Sequence, residues 1–328
     1  MRILAIETSC DETAAAVIEG GSSNEPIKVL SNIVASSEEM HQKTGGIVPE
    51  VAAREQLKAI MPVIDEAMRG EVDAIAVTVG PGLVGSLLVG VETARALAYA
   101  WDKRIIPVNH LIAHLYANWV NDVPEFPAVG LVVSGGHTDL VLMQDHGKLK
   151  LLGRTRDDAA GECFDKSARI LGLPYPGGPA IAAEAAKLQI TRNKKQTKLP
   201  RPLMQEKTYD FSFSGLKTAL LRQSADQGKP AELAYELQEA IVEVLVSKVM
   251  RAVEEFRPKS VLLGGGVAAN LRLREELDAR LQMADSRLFI PPVELCTDNA
   301  VSIGATADYN YAPLSWQEIK VDPELEIV

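Results

Sequence analysis

A chain of 328 residues is too long for one small core and suits two domains of about 150 residues each. Its 47% hydrophobic and 24% charged content is that of an ordinary globular enzyme, and no apolar run reaches the roughly 18 residues of a membrane span. A net charge of −10 excludes a protein that coats nucleic acid indiscriminately, while leaving room for a local basic patch.

The first residues, MRILAIETSCDE, lack the basic region, apolar block and cleavage site of a signal peptide, and their acids argue against a transit peptide. The cytoplasm is therefore the expected compartment. Short β-branched runs predict strands at 3–8, 13–18 and 27–34. A helical pattern comes next over 49–69, with Val51, Leu57, Ile60, Ile64 and Met68 near one face. Then come a strand at 74–79, a helix over 82–101, a strand at 105–108 and a helix over 111–119. From residue 127 the same plan restarts. Strands are predicted at 128–133, 138–143 and 148–152, and helices over 161–171 and 231–256 with a long insertion between them. A strand at 260–263, a helix over 269–282, a strand at 287–290 and a helix over 298–309 close the chain. Two successive βββαβαβα units imply a duplicated α/β domain, each lobe a mixed sheet with flanking helices. That plan resembles the actin, sugar-kinase and heat-shock ATPase (ASKHA) superfamily, in which the active site lies between the lobes. The expected division is 1–126 for the first lobe, 127–296 for the second, and 297–328 for a terminal helix and tail packing back on the first.

Polar or glycine-rich turns interrupt the apolar strands at matching places. Residues 7–13 (ETSCDET) join the first two strands of lobe one, and residues 133–138 (VSGGHT) join their counterparts in lobe two. Either alone is an ordinary hairpin turn; their equivalent placement suits backbone N–H groups that receive phosphate oxygens. Residues 264–270 (GGGVAAN) and 80–86 (GPGLVGS) each end a strand and open a helix, where a packing role and an anion site are both open readings. No GxGxxG and no GxxxxGK[ST] occurs, so Rossmann and P-loop assignments have no support.

His110 and His114 are four residues apart and share a helix face, so both imidazoles can reach one ion, although HxxxH alone also fits two unrelated surface histidines. Asp298 opens the last helix, either as its N-cap or as a third ligand. Two histidines and a carboxylate with open positions suit iron(II) or zinc. Position 111 is Leu, so the glutamate of HExxH is missing and a zincin protease is disfavoured. The three cysteines, Cys10, Cys163 and Cys296, are widely spaced without CxxC and read as small packing residues. Lys187, Arg192, Lys194, Lys195, Lys198 and Arg201 form an acid-free basic stretch, which is either a solvated loop or a phosphate contact.

The motifs AIETSCDETAAAV, GGIVPEVAAREQ, GPGLVGSLLVG, NHLIAHLYA, VSGGHTDLV, GRTRDDAAGECFDK, LGLPYPGGP, FSFSGLKTA, LGGGVAANLRLR and CTDNAVSIG run in order through nearly the whole chain. Together they resemble the TsaD (YgjD or Gcp) family. The resemblance implies transfer of a threonylcarbamoyl group from threonylcarbamoyl-AMP to N6 of the adenosine 3′ of the anticodon, in tRNAs reading codons that begin with A, with release of AMP. It implies a metal held by His110, His114 and Asp298, with iron(II) favoured and zinc or magnesium as alternatives. It places donor contacts on Val133, Ser134, Gly135, Gly136, His137, Asp165, Gly178 and Asn270, with Asp165 and Asn270 orienting ribose hydroxyls. The implied partners are tRNA, a shorter TsaB-like paralogue forming a heterodimer, and a small TsaE-like ATPase. Glu12 is the best-placed carboxylate to accept the amine proton. Two positions depart from the family pattern: Gln56, where many relatives carry histidine, and Ala182, where many carry an aspartate that contacts ribose. A sugar or acetate kinase would share the fold but leave HxxxH and the distal TDN unexplained. A non-catalytic scaffold would lack the histidines and the 264–270 turn.

Overall fold

The computed structural model describes residues 1–20, 25–37, 40–41, 46–188, 198–227 and 230–328. They form two compact units, Met1–Pro124 with Pro291–Val328, and Glu125–Ile290. Residues 291–296, read from the sequence as the end of lobe two, belong to unit one. The chain leaves the second sheet after its last strand, and Cys296 packs its thiol against the carbonyls of Pro291 and Pro292.

Unit one is built on β1 (Arg2–Glu7), β2 (Glu12–Glu19), β3 (Lys28–Ser36), β4 (Ala74–Gly80) and β5 (Arg104–Asn109), in the order β3-β2-β1-β4-β5. The first three are antiparallel, and β1, β4 and β5 run parallel. Every residue of β4 is buried, which is why it reads as a continuous apolar run: helices cover both faces of the parallel strands. On one side lie α1 (Pro49–Ala67) and α2 (Val84–Trp101). Ile60, Val63 and Ile64 of α1 and Val91 of α2 share a core with Leu4, Ile6, Ile75 and Val77. Contacts on the opposite side come from α3 (His110–Tyr116) and α9 (Ala300–Tyr309), the latter buried almost all round. Gly304 makes that seat possible, because a Cβ there would meet Ile18 Cγ1 at 2.8 Å. The tail then returns along the unit. Leu314 pairs with Ile105, the Asp322 N–H donates to the Val79 carbonyl at 2.8 Å, and Ile319 and Ile327 are buried.

Unit two repeats the plan with β6 (Ala128–Val133), β7 (Thr138–Asp145), β8 (Lys148–Arg154), β9 (Ser260–Gly264) and β10 (Arg287–Phe289). Their order, β8-β7-β6-β9-β10, is that of the first sheet strand for strand. The helices are α4 (Ala160–Ile170), α5 (Gly177–Ala186), α6 (Ser214–Gln227), α7 (Pro230–Phe256) and α8 (Leu271–Leu281). The long insertion therefore contains two helices. Glycine and alanine dominate α5 and give it no apolar period to detect. Asp157 fastens the start of α6, accepting from the N–H groups of Phe213 and Ser214 and from the hydroxyls of Ser212 and Ser214.

The chain before α6 is tied to α7 by two cations, one half-buried and one fully buried. Arg201 pairs with Glu236 and, at 2.8 Å, with Glu243, so it is committed within the fold and unavailable as a phosphate contact. Lys187 pairs with Glu184, and Arg192, Lys194 and Lys195 of the basic stretch lie outside the described residues. Lys248, fully buried in α7, donates to the carbonyls of Leu203 at 2.6 Å, Glu206 at 3.4 Å and Thr208 at 2.6 Å. Substituting Lys248→Met keeps the stem's volume and strips those acceptors of this donor. The Leu203 carbonyl keeps the Glu206 N–H, and those of Glu206 and Thr208 keep Arg251, so what is lost is the charged donor. Hydrogen bonds to a charged group contribute about 1.5–3 kcal/mol, and urea denaturation should show a loss of about 2 kcal/mol.

Candidate metal centre and anion-binding turns

β5 runs directly into α3, and the turn between them is set by Asn109. Its Oδ1 accepts from the N–H groups of Leu111 at 2.9 Å and Ile112 at 3.2 Å, while its amide donates to the Glu326 carbonyl of the tail at 2.8 Å. This capped start makes His110 the first helical residue and puts His114 one turn later, with their rings edge to face at 4.5 Å. Asp298 arrives from the other end of the chain. The N-cap of α9 is Asn299, whose Oδ1 accepts from Ser302 N–H at 3.0 Å, so the Asp298 carboxylate is not spent on capping. Asp298 Oδ1 lies 3.6 Å from Nε2 of His110 and 3.6 Å from Nε2 of His114, and the three donor atoms fall within 4.8 Å of one another. Ligands at about 2.1 Å from one ion sit roughly 3–3.5 Å apart, so two imidazoles and a carboxylate in this arrangement fit a divalent cation after small closure.

Around these three side chains the protein crowds further acids into apolar surroundings. Glu7, at the end of β1, is buried. Burial raises its carboxyl, but the His110 charge and hydrogen bonds from His110, Thr78 and Ser9 outweigh that and hold it at about 2. Burial would lower His110, yet Asp298 and Glu7 lift it to about 9. Asp298 itself is raised to about 6, chiefly by burial and against the pull of His110. Burial, with the charges of Asp298 and Asp11, pushes Glu12 to about 10. Beneath this turn lies Gln56, 1% exposed, whose Nε2 faces the carbonyls of Thr8 at 3.3 Å, Cys10 at 3.1 Å and Glu12 at 2.8 Å. Burial pushes the Cys163 thiol up to about 12 and the Cys10 thiol higher still, which leaves both inert as nucleophiles at neutral pH.

Unit two carries a different kind of site. Gly265 has φ +93°, and a Cβ there would strike the Val133 carbonyl at 2.5 Å, so the turn after β9 lies directly against the end of β6. The Ser134 N–H donates to the His137 carbonyl at 2.9 Å, and the His137 N–H to Ser134 Oγ at 3.2 Å. Of the donors expected to meet phosphate, the Ser134 amide is thus consumed by the hairpin. The amides of Gly135 and Gly136 have no acceptor among the described residues. A Cβ at Gly135, Gly136, Gly178 or Gly266 would meet nothing within 4 Å, so unit two has open space along these turns. Asp165 Oδ1 accepts from the Gly177 N–H at 2.7 Å, and burial raises its carboxyl. Asn270 caps α8 through Oδ1, accepting from Leu273 N–H at 3.1 Å, and its amide donates to Gln238 at 3.0 Å.

A family model described as TsaD, tRNA N6-adenosine threonylcarbamoyltransferase, matches residues 28–305. The chain belongs to the TsaD family. It is 52% identical to the tRNA N6-adenosine threonylcarbamoyltransferase of Symbiobacterium thermophilum, over 94% of this chain and 91% of that one. With the protein of the same description from Moorella thermoacetica it shares 49% identity, over 97% and 95%. Among solved structures, HypF of T. kodakarensis superposes with a TM-score of 0.62 at 14% identity, covering 94% of this chain and 47% of that one. The activator of 2-hydroxyisocaproyl-CoA dehydratase from Clostridium difficile gives 0.52 at 11%, over 97% and 95%. These likenesses establish the duplicated actin-like fold, and the relatives establish the activity: tRNA threonylcarbamoyl transfer.

Against the TsaD pattern, Gln56 turns out to brace the 8–12 turn, while Ala182 stands half-buried on α5 with only a methyl to offer. Sequence reading passed over Glu7 and Thr78, the layer beneath His110. One signal was present: a carboxylate closing the apolar strand RILAIE demands buried partners. The charge balance predicts a pH effect in chelator-treated protein. Folded Glu12 keeps its proton from about pH 4.5 up to about 10, a window in which the unfolded chain has lost it, so stability falls as pH rises. His110, raised to about 9, acts with the same sign between about pH 6.5 and 9. Glu12→Gln should flatten that decline by up to about 1.4 kcal/mol per pH unit, measured by urea denaturation at pH 6, 7 and 8.

Proposed function

We propose that His110, His114 and Asp298 hold one divalent ion, iron(II) by preference with zinc or magnesium as alternatives, and that threonylcarbamoyl-AMP is the donor. The observation that supports this most directly is the approach of Asp298 to both imidazoles, from a position almost two hundred residues along the chain. A two-histidine, one-carboxylate set with open positions is the pattern of non-haem iron(II) centres. When bound, such an ion supplies Lewis-acid stabilisation of charge on the leaving phosphate.

In the reaction the exocyclic amine of the adenosine 3′ of the anticodon attacks the carbamoyl carbon. A C–N bond forms, the C–O bond to phosphate breaks, AMP departs with the bonding pair, and the amine releases one proton. An aryl-type amine is a weak nucleophile, which is why the acyl group has to arrive as an anhydride. The amides of Gly135 and Gly136 are assigned to the donor's phosphate or to developing oxyanion charge. Val133, Ser134, His137 and Gly178 line the remainder of the donor's position. Asp165 offers ribose the oxygen it does not share with Gly177, and Asn270 the second lone pair of Oδ1. Glu12 is assigned the amine proton, since a carboxyl raised by burial is, once ionised, a stronger base than an ordinary one. Around this subunit the family resemblance implies a synthase that makes the donor from threonine, bicarbonate and ATP, a TsaB-like paralogue, a TsaE-like ATPase and a cytoplasmic setting. Among the described residues no helix is long and apolar enough to cross a membrane.

The test is replacement of the ligands. His110→Ala and His114→Ala should each lower metal content and slow formation of modified adenosine from threonylcarbamoyl-AMP and tRNA by about 10²-fold or more, with circular dichroism unchanged. Chelation should reproduce the loss, and iron(II) should restore the rate more fully than zinc. Wild-type turnover in both mutants would remove the metal from the reaction, and phosphorylation of a sugar or carboxylate from ATP would move the protein to the kinase class.

A further inference from the structure

Glu7 is 1% exposed at the end of a strand otherwise made of Arg2, Ile, Leu and Ala. An ionised group in such a place is tolerated only when its oxygens are well paired. Here both are. Oε1 accepts from the Ser9 N–H at 2.5 Å; Oε2 accepts from the Thr78 hydroxyl at 2.6 Å and lies 3.1 Å from His110 Nδ1. The Ser9 hydroxyl stands 3.2 Å from the same ring nitrogen. Thus β1, β4 and the 8–12 turn all hold one carboxylate, and that carboxylate faces the side of the His110 ring away from Asp298.

We propose that Glu7 is the positioning residue of the metal centre: it accepts the Nδ1–H of His110 and so presents an unprotonated Nε2 to the ion. A carboxylate is an acceptor only, so a hydrogen bond between it and Nδ1 requires the ring nitrogen to donate. With the proton on Nδ1, the lone pair of neutral imidazole is on Nε2, the atom 3.6 Å from Asp298 Oδ1. Rotation of the ring would break the bond to Glu7, and movement of Glu7 would break those to Ser9 and Thr78. Such backing partners fix ring orientation and raise ligand basicity, and their loss typically costs about 10–100-fold in metal affinity.

Glu7→Gln keeps the shape and leaves one acceptor oxygen where two were used. If that oxygen takes the Ser9 N–H, the amide NH₂ faces Nδ1 and moves the ring proton to Nε2, where it blocks ligation. If the oxygen faces His110 instead, the NH₂ opposes the Ser9 N–H. The role rests on His110, His114 and Asp298 being ligands, so the experiment includes His114→Ala. Zinc affinity is measured by competition with a chromophoric chelator for full-length wild type, Glu7→Gln, Thr78→Val and His114→Ala, with long-range ¹H–¹⁵N spectra of the zinc-loaded histidines. Glu7→Gln should weaken zinc binding about 10–100-fold and shift the His110 Nδ1–H signal, and Thr78→Val, which removes one support of Glu7, should weaken binding by less. Zinc affinity within about threefold of wild type in Glu7→Gln, with an unmoved His110 signal, would overturn the positioning role alone. Equal affinity in wild type and His114→Ala would overturn the metal assignment and the positioning role with it. Should Glu7→Gln fail to fold, Thr78→Val decides: unchanged affinity and an unmoved His110 signal count against the role.

Discussion

Everything at the working end of unit one stems from placing acids where water is scarce. Glu7, Asp11, Glu12 and Asp298 gather around His110 and His114, all buried or nearly so. Without a cation the cluster resolves its repulsion by moving protons: Glu12 is held neutral and His110 is held charged. That is a costly arrangement for folding alone, because replacing buried charges by apolar groups is often neutral or stabilising. A divalent ion bound there would reverse the logic. It would give Asp298 and both imidazoles a common partner, and would lessen the repulsion that keeps Glu12 protonated. Local conflict between stability and charge placement is expected where function requires it.

The duplicated sheet explains why these groups share an address. β1, β4 and β5 run parallel, so their carboxyl ends lie side by side, and each contributes: Glu7 from β1, Thr78 from β4, and His110 immediately after β5. Ligand sites in open α/β sheets form beyond the carboxyl ends of parallel strands for this reason. Unit two obeys the same geometry with different chemistry. Val133 ends β6 and Gly264 ends β9, a parallel pair, and both strands lead into glycine turns with open space beside them. One plan has thus been filled with titratable side chains in the first copy and bare backbone in the second.

How much of this was legible depended on the distance over which partners act. The strands were readable because each is a self-contained apolar run, and the His110/His114 pair because a helix turn puts i and i+4 together. The two helices of the insertion escaped, since alanine and glycine give α5 no period and α6 is anchored by Asp157, over fifty residues upstream. Arg201 stands in an acid-free stretch of sequence, and the glutamates that neutralise it, Glu236 and Glu243, come from a helix 35 and 42 residues away. Glu7 likewise gains meaning only from Thr78 and His110, which are 71 and 103 residues distant. Composition reveals a charge; only the fold reveals what pairs with it.

Gln56 shows what that distinction means for a position that departs from its family. By sequence it marks a missing histidine. In the structure its amide lies under the carbonyls of Thr8, Cys10 and Glu12, forty-four to forty-eight residues earlier. A primary amide carries two hydrogens on one nitrogen and offers them to several acceptors at once, whereas an imidazole ring has one donor on each of two well-separated nitrogens. The amide also has no pKa near neutrality, so its donation does not change with pH. The turn that carries Glu12 is therefore braced by a group indifferent to protonation, directly beneath a cluster in which protonation decides everything else. The departure leaves the candidate metal ligands untouched because its work is on the backbone that carries the neighbouring acid.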